Sequence, residues 1–455
     1  MDRHESWHGR GDQLKSRTLT FGTDGVRGIA NKGLLPEDAL RLGLAASGAF
    51  GGKILIGRDT RLSGEMLARA LSAGAASGGA DVVDLGVLPT PGVAALAPGL
   101  GAAAAGVVSA SHNPYPDNGI KFFSGEGRKL SPERERELED LLEHDVTRPT
   151  GSGIGRVEMP DDAVQMYAEH VLERLRPLAE GFKVLLDCAN GAAYEVAPLV
   201  FSQLGVDLTL TGTVPTGTNI NEGCGSTHVE DLDAAGQDVA FAFDGDADRV
   251  LALDEKGNVV DGDKIIAILA RDKKERGVLS GEVVVTVMSN LGFFKAMEAM
   301  EIPYEVTSVG DRHVAEAMGR LGASLGGEQS GHVILSEHVT TGDGIVTALA
   351  LLDVMVRSGR PLSELAGVME VYPQTLINVR TEEPGAAKAV ASSEPVERAV
   401  AAAEKRLGEE GRVLLRPSGT EPVVRVMVEH TDETVCREVC EEVSRVVADA
   451  GKEGT

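Results

Sequence analysis

Three aspartates alternate with small residues just after the apolar run Val239–Phe243. Carboxylates this close repel one another, so the pKa of one would rise unless a cation neutralised the group. Asp244, Asp246 and Asp248 offer the hard oxygen ligands that Mg²⁺ prefers, and no Glu follows at the spacing of an EF-hand calcium loop. The pattern predicts a site for one Mg²⁺ ion, with a solvated acidic turn as the alternative.

A serine-containing loop, Ser109–Pro114, follows a short apolar strand predicted at Gly106–Ser109. Ser111 would therefore lie where ligands bind in α/β proteins, at the carboxyl end of a strand. A serine hydroxyl is a weak nucleophile and needs a base or a cation beside it. His112 and Lys121 are the nearby candidates, and a polar turn with Asn-Pro and Asn-Gly punctuation is the alternative.

A glycine-rich segment, Gly326–His332, carries side chains that can recognise hydroxyl groups. Its glycines permit close backbone approach, and Glu328, Ser330 and His332 lie between or beside them. A carboxylate can bridge vicinal hydroxyls or bind an ammonium group, so this loop suits a sugar. A plain glycine-rich turn is the alternative.

The segment Arg416–Pro422 combines a guanidinium, two hydroxyls and backbone N–H groups around a glycine. Such a loop can cradle an anion, and a tight turn is the alternative. Two further polar loops punctuated by glycine, Phe21–Gly28 and Gly57–Arg61, lie in the N-terminal part of the chain.

The composition excludes several classes of partner. The chain has 455 residues and a formal net charge of −26, which disfavours nucleic acid and anionic membranes as partners. A phosphorylated substrate would therefore need a locally basic site. No apolar stretch is long enough to span a membrane, and residues 1–17 are too polar for a signal peptide, so we expect a soluble cytoplasmic protein whose four cysteines are reduced.

Short apolar runs alternate with amphipathic helical segments, and this alternation restarts twice along the chain. Alternation of this kind predicts α/β units with crossover helices. The last segment instead contains strand, helix, strand, strand and helix, which is typical of a small α+β domain. We predict four domains, each with one of the loops described above. They are 1–158 with the serine loop, 159–260 with Asp244–Asp248 (the metal loop), 261–371 with Gly326–His332 (the sugar loop) and 372–455 with Arg416–Pro422 (the phosphate loop).

The four loops together, one in each unit and in this order, resemble the signature loops of the α-D-phosphohexomutase family. The resemblance extends from about Thr18 to Ala448. It implies three similar α/β domains with mixed sheets, a smaller C-terminal α+β domain and an active site in the central cleft. It also implies an isomerase that transfers a phosphoryl group through a phosphoserine.

The resemblance assigns roles to individual residues. Ser111 would carry the phosphate and, with Asp244, Asp246 and Asp248, bind one Mg²⁺ ion. Lys121 would act in acid/base catalysis or charge stabilisation. Other residues would bind the phosphoryl group or the substrate: Arg27 and Arg249 at the transferred phosphoryl group; His112, Glu328, Ser330 and His332 at the substrate; and Arg416, Ser418, Gly419, Thr420 and Arg425 at the phosphate that does not react.

Within the family, the sequence is most similar to the branch that interconverts glucosamine 6-phosphate and glucosamine 1-phosphate for UDP-N-acetylglucosamine synthesis. Gln329 in the sugar loop and the segment Asn219–His228 carry this likeness. Glucosamine 1,6-bisphosphate or a similar compound would be the intermediate and activator, and a homodimer is possible. Alternatives are a phosphomannomutase/phosphoglucomutase, a phosphatase with an Asp nucleophile, which leaves the serine loop unexplained, and a non-catalytic sugar-phosphate-binding protein.

Overall fold

A computed structural model describes residues 19–22, 24–144, 146–381, 384–418 and 422–453. Its first sheet is mixed, with strand order β1-β5-β4-β2-β3-β6. The strands are β1 (Val26–Ile29), β2 (Lys53–Arg58), β3 (Asp81–Val87), β4 (Ala104–Val108), β5 (Asp117–Ser124) and β6 (Val157–Glu158). The helices of this region are α1 (Pro36–Phe50), α2 (Gly64–Ser77), α3 (Thr90–Gly99) and α4 (Pro132–Glu143).

Small residues shape this first core, as the scarcity of aromatic residues requires. Helices α1 and α2 pack closely at Gly43 and Gly74, where an added Cβ would lie 2.0 Å from a backbone carbonyl oxygen of the other helix. Every residue of β4 is buried. Because β4 runs parallel to β2 and antiparallel to β5, the segment after its carboxyl end turns back towards Lys121 of β5.

The second sheet has the order β11-β10-β9-β7-β8. Its strands are β7 (Lys183–Asp187), β8 (Asp207–Thr211), β9 (Val239–Phe243), β10 (Val250–Asp254) and β11 (Val259–Val260), and the helices are α5 (Ala163–Arg174) and α6 (Ala193–Phe201). Strands β9 and β10 form an antiparallel hairpin in which Phe243 pairs with Val250. The aspartates 244–248 occupy its turn, directly after a completely buried strand.

The third sheet has the order β13-β12-β14-β15 and is also mixed. Its strands are β12 (Val283–Thr286), β13 (Tyr304–Thr307), β14 (Leu325–Gly327) and β15 (Val333–Leu335). The helices in this part of the chain are α7 (Gly262–Glu275), α8 (Leu291–Ala299), α9 (Asp311–Leu321), α10 (Gly344–Ser358) and α11 (Leu362–Leu365). The sugar loop connects β14 to β15.

The chain divides into two compact units. One contains residues 1–288 and 302–368, and the other contains residues 289–301 and 369–455, so that α8 is grouped with the C-terminal segment. The second unit has an antiparallel sheet of order β16-β18-β17, formed by β16 (Gln374–Arg380), β17 (Gly411–Pro417) and β18 (Val423–His430). Its C-terminal helices are α12 (Pro384–Ala391), α13 (Glu394–Leu407) and α14 (Glu433–Glu453).

The predicted fold class is confirmed: mixed α/β sheets are followed by a small α+β domain. The apolar runs alone predict strands at Lys53–Ile56 and Arg412–Leu415, which are too short, since β2 continues to Arg58 and β17 to Pro417. The predicted strand at 106–109 lies at 104–108 instead, because Ser109 already belongs to the loop. The predicted leader at residues 1–17 lies outside the described residues, and the exact domain boundaries stay a prediction. Among the described helices, none is long and apolar enough to cross a membrane.

Candidate active site

The serine loop begins where β4 ends, and it places Ser111 in a buried position. Ser111 is 3% exposed and has a left-handed backbone conformation, with φ of 52°. Its Oγ donates a hydrogen bond to Asp244 Oδ2 (2.6 Å) and lies 3.3 Å from His112 Nδ1. The structure thus brings the predicted nucleophile into direct contact with the metal loop.

The three predicted metal ligands are buried, and one oxygen from each lies within 4.8 Å of the others. Asp246 Oδ2 accepts hydrogen bonds from Thr90 Oγ1 (2.6 Å) and Lys121 Nζ (2.7 Å). In the part of the chain that the structure describes, Asp246 Oδ1 and Asp248 Oδ1 are buried and accept no hydrogen bond. Buried carboxylate oxygens without donors are costly, and a hard cation would satisfy them. The residues present therefore fit Mg²⁺.

Burial and neighbouring charges shift the pKa values of Asp244 and Asp248 in opposite directions. Burial, reinforced by the charges of Asp248 and Asp246, raises the pKa of Asp244 well above its ordinary value. Burial also acts to raise the pKa of Asp248, but Lys121 and other nearby cations hold it well below its ordinary value. This is the electrostatic conflict that three alternating aspartates predict, and a bound cation would relieve it.

Lys121 projects from β5 between two of the metal ligands. Its Nζ lies 2.7 Å from Asp246 and 3.6 Å from Asp248. Burial alone would lower the pKa of Lys121, but these carboxylates raise it above its ordinary value, so the side chain is a cation. The predicted catalytic lysine therefore lies with the acidic cluster that surrounds Ser111.

Two arginines and a histidine border the same cluster. Arg249 donates its backbone N–H to Asp244 Oδ1 (3.2 Å), and its Nη1 lies 3.2 Å from His112 Nδ1. Burial, then the charges of Arg249 and Arg27, lower the pKa of His112, which favours a neutral imidazole. Arg27 lies in β1, with its guanidinium 3.4 Å from Asp24. Cations at these positions can bind a phosphoryl group.

The sugar loop is a tight turn between two antiparallel strands. The Glu328 N–H donates to His332 O (3.0 Å), and the Gly331 N–H donates to Glu328 O (3.0 Å). Glu328 Oε1 accepts a hydrogen bond from the Gly310 N–H (3.1 Å), while Ser330 is exposed at the turn. The backbone thus holds the carboxylate in place and presents the hydroxyl to solvent.

His332 links the sugar loop to the metal loop. It is 2% exposed, and its Nδ1 lies 3.7 Å from Asp248 Oδ1. Its Nε2 accepts a hydrogen bond from the Gly342 N–H (3.1 Å). His332 is therefore buried between Asp248 and Gly342. The sequence predicts a substrate contact for His332, and that contact stays a prediction.

The predicted phosphate loop belongs to the C-terminal unit. Arg416 near the end of β17 pairs in register with Arg425 of β18, so both side chains extend from the same face of the sheet. The Ser418 N–H donates to Val423 O (2.8 Å), at the start of β18. Gly419 and Thr420 lie outside the described residues. Two arginines thus lie side by side at this end of the sheet, and guanidinium groups are the donors that commonly bind phosphate.

Sequence reasoning missed several buried residues that support these loops. Thr90 at the start of α3 binds Asp246 through its hydroxyl and its backbone N–H. Arg61 and Asn221 donate to carbonyl groups of the serine loop. The polar composition of Gly57–Arg61 was a signal for Arg61, whereas nothing local to Thr90 indicated its contact with a residue 156 positions away.

Comparison with known proteins places the chain in a family. The four domain families described as phosphoglucomutase/phosphomannomutase domains I, II, III and C-terminal domain match residues 18–148, 165–257, 261–372 and 376–446. The chain therefore belongs to the phosphoglucomutase/phosphomannomutase family, which confirms the predicted phosphohexomutase resemblance. This family combines three α/β/α domains with a distinct C-terminal domain.

Individual relatives cover nearly the whole chain. A phosphoglucosamine mutase from Rubrobacter xylanophilus is 71% identical over 441 residues, which are 97% of this chain and 99% of the relative. The crystal structure of a phosphoglucomutase/phosphomannomutase family protein from Burkholderia thailandensis has a TM-score of 0.79 at 25% identity, covering 96% of this chain and 98% of that one. The Aspergillus fumigatus N-acetylphosphoglucosamine mutase, crystallised with GlcNAc-6P and magnesium, shares the fold with a TM-score of 0.68 at 19% identity, covering 96% and 97%.

Proposed function

We propose that this protein catalyses the phosphoglucosamine mutase reaction, the isomerisation of glucosamine 6-phosphate and glucosamine 1-phosphate. The observation that carries the chemistry is the 2.6 Å contact of Ser111 Oγ with Asp244, inside a buried acidic cluster that leaves two carboxylate oxygens open. The choice of glucosamine rests on the relative that is 71% identical and bears that name. A phosphorylated Ser111 would be the carrier.

In the proposed reaction, the P–Oγ bond of phosphoserine 111 breaks and a P–O bond to the free sugar hydroxyl forms. The hydroxyl loses its proton and Ser111 Oγ gains one, giving glucosamine 1,6-bisphosphate and a free serine. The reverse transfer, from the other end of the sugar, regenerates the phosphoserine. Atoms and charge balance, and no co-reactant is consumed over the cycle.

Each side chain of the site has a part in this scheme. When bound by Asp244, Asp246, Asp248 and the phosphate of Ser111, one Mg²⁺ would neutralise charge on the transferring group. Arg249 and Arg27 would bind the phosphoryl oxygens. Lys121, held as a cation, would stabilise charge and supply a proton to the leaving oxygen.

The substrate would be held at both ends. Glu328, oriented by the Gly310 N–H, would bind a sugar hydroxyl or the 2-ammonium group, and His112, Ser330 and His332 would complete that part of the site. Arg416, Arg425 and the loop Ser418–Thr420 would bind the phosphate that is not reacting. A cytoplasmic location and a homodimer stay predictions.

The test is a mutase assay with glucosamine 6-phosphate, Mg²⁺ and catalytic glucosamine 1,6-bisphosphate, combined with intact-mass measurement. We expect turnover, its loss with chelator, and a mass increase of one phosphoryl group that maps to Ser111. Parallel assays with glucose and mannose phosphates measure substrate preference. Turnover faster on mannose or glucose phosphates would replace the proposed substrate, and absence of both turnover and phosphoserine would overturn the proposal.

A further inference from the structure

The serine loop contains a conformation that its own residues do not favour. Ser111 has φ of 52°, in the left-handed region that costs a residue with a Cβ about 1 kcal/mol or more. Such a conformation persists only when its surroundings hold it in place. The groups that hold Ser111 therefore decide where its hydroxyl lies.

Arg61 holds the loop from the first domain. Its side chain is completely buried, and its Nε donates to Asp59 Oδ2 (2.8 Å). Its terminal nitrogens donate to four carbonyl groups, three in the serine loop and one at the start of β5. These are Ser111 O (2.8 Å), Asn113 O (2.8 Å), Pro114 O (2.5 Å) and Asp117 O (3.1 Å). A planar guanidinium presents its donors in a fixed fork, so four acceptors around it fix the course of the loop.

Asn221 holds the same loop from the second domain. Its Nδ2 donates to the carbonyl oxygens of Ser111 (3.0 Å) and Asn113 (3.2 Å), two of the acceptors that Arg61 also uses. Asn221 is 7% exposed and itself has φ of 58°, a conformation that asparagine tolerates better than most residues. No step assigned under the proposed function uses either side chain.

The metal loop packs against the same carbonyl group. A Cβ added to Gly245 would lie 2.5 Å from Ser111 O, so the backbone between two metal ligands approaches this oxygen directly. The Ser111 carbonyl is thus in contact with Arg61, with Asn221 and with the metal loop. Whatever fixes this carbonyl also fixes the distance from Ser111 Oγ to Asp244.

We propose that Arg61 and Asn221 form a carbonyl clamp whose function is to position phosphoserine 111 as a ligand and phosphoryl donor at the metal loop. The proposal rests on the proposed function, because it needs a phosphoserine. Both are positioning residues: they act on the backbone of Ser111 and do not touch the reacting atoms. Phosphoryl transfer depends chiefly on placement and charge, so a small displacement of Ser111 is expected to slow it.

Two substitutions of Asn221 test the clamp, one by reversing the polarity of its contacts and the other by removing them. Asn221→Asp keeps the size and the tolerance for a left-handed backbone but replaces the donor with an acceptor. Asn221→Gly keeps that backbone conformation and removes the side chain without adding charge. We expect each to lower kcat by roughly 10–100-fold while KM for glucosamine 6-phosphate stays nearly constant, since misplacement by about 1 Å can cost 10²-fold.

Metal binding provides a second readout that a general loss of stability would not produce. Calorimetric titration with Mg²⁺ is made on the phosphorylated enzyme and on the same enzyme after removal of the phosphate. We expect the uncharged variant Asn221→Gly to bind Mg²⁺ several-fold more weakly than wild type in the phosphorylated form and equally well in the dephosphorylated form. This difference is expected because the clamp acts on the backbone of Ser111, whose phosphate is the proposed metal ligand.

Asn219→Asp is the matched control, because the Asn219 amide donates to Val214 O (3.0 Å) and not to the serine loop. It should retain the wild-type kcat and Mg²⁺ affinity. Unchanged kcat in both Asn221 variants, or Mg²⁺ binding of Asn221→Gly weakened equally with and without the phosphate, would overturn the clamp. Arg61→Lys should show the same pattern more strongly. A wild-type enzyme without phosphoserine or turnover would instead remove the proposed function.

Discussion

Glu429 in the C-terminal unit and the three aspartates of the metal loop in the other unit are buried carboxylates with opposite hydrogen-bonding environments. Glu429 in the C-terminal unit is completely buried on β18. Its two oxygens accept four hydrogen bonds: from Arg412 Nε (2.5 Å), Leu291 N (3.0 Å), Gln374 Nε2 (3.1 Å) and Asn290 Nδ2 (3.2 Å). Burial raises the pKa of Glu429, although Arg412 acts in the opposite direction.

The aspartates of the metal loop also lie in a buried environment, but they are incompletely satisfied. Two of their oxygens, Asp246 Oδ1 and Asp248 Oδ1, lack a donor among the described residues. A satisfied buried carboxylate connects parts of a fold, whereas buried carboxylate oxygens that lack a donor favour a bound cation. The difference between Glu429 and the metal loop indicates that the number of hydrogen bonds a buried carboxylate accepts, more than its burial, distinguishes a structural role from a ligand-binding one.

The largest effect is expected from Ser111→Ala. This change removes the proposed phosphate carrier and the hydroxyl that donates to Asp244, so mutase turnover should fall by several orders of magnitude. Ser109→Ala is the control within the same loop. Its Oγ donates to Asp59 (2.6 Å) and accepts the Ser111 N–H (2.9 Å), so it supports the loop and its loss should cost much less. Equal losses of activity in the two variants would show that the wrong serine was assigned.

Asp246→Asn tests the open oxygens directly. The change keeps the shape of the side chain but removes a charge from the metal loop. Both Mg²⁺ affinity and turnover should therefore fall by roughly 10–100-fold. Calorimetry with Mg²⁺ and steady-state kinetics measure the two effects. Full activity of the wild-type enzyme in excess chelator would exclude the metal role for all three aspartates.

Arg416→Ala tests the proposed phosphate contact in the C-terminal unit. Loss of a charge-assisted contact worth about 1.5–3 kcal/mol corresponds to roughly a 10–150-fold loss of kcat/KM. Because either phosphate would use this loop in turn, the forward and reverse reactions should suffer similarly. Phosphorylation of Ser111, read by intact mass, and Mg²⁺ affinity should not change. A variant that keeps its kcat/KM, or that loses the metal instead, would show that the phosphate binds elsewhere.

The sequence predicted those parts of the site whose signal is local. For three aspartates within five positions, or a serine followed by a histidine at a strand end, the residue types and their spacing are enough to indicate metal binding or nucleophilic catalysis. The supporting residues carry no such signal, because Asn221 meets Ser111 across 110 positions and Thr90 meets Asp246 across 156. Their contacts arise only when two domains pack together. Element ends were inaccurate for a related reason, since hydrogen bonds to neighbouring strands extend β2 and β17 beyond their apolar residues.

Glu429 illustrates the same limit, because an isolated glutamate in a strand is ordinarily a surface residue and nothing in its neighbourhood predicts burial. Its partners come from three separate segments of the C-terminal unit: the start of α8, β16 and β17. Only the structure therefore shows that Glu429 is a buried carboxylate, like the aspartates of the metal loop.

The smallest effect on function is expected from Glu429→Gln, which makes the same acid-to-amide change as Asp246→Asn in the saturated environment. The amide keeps one acceptor but turns an N–H₂ group towards donors and leaves Arg412 without its charge partner. We expect a loss of about 2 kcal/mol in the free energy of unfolding of the C-terminal unit, followed by chemical denaturation. Mg²⁺ affinity and the phosphorylation of Ser111 should equal those of wild type, since no oxygen of Glu429 awaits a ligand. Weakened Mg²⁺ binding in this variant, or unchanged stability, would mean that saturation by hydrogen bonds does not separate structural carboxylates from metal ligands in this protein.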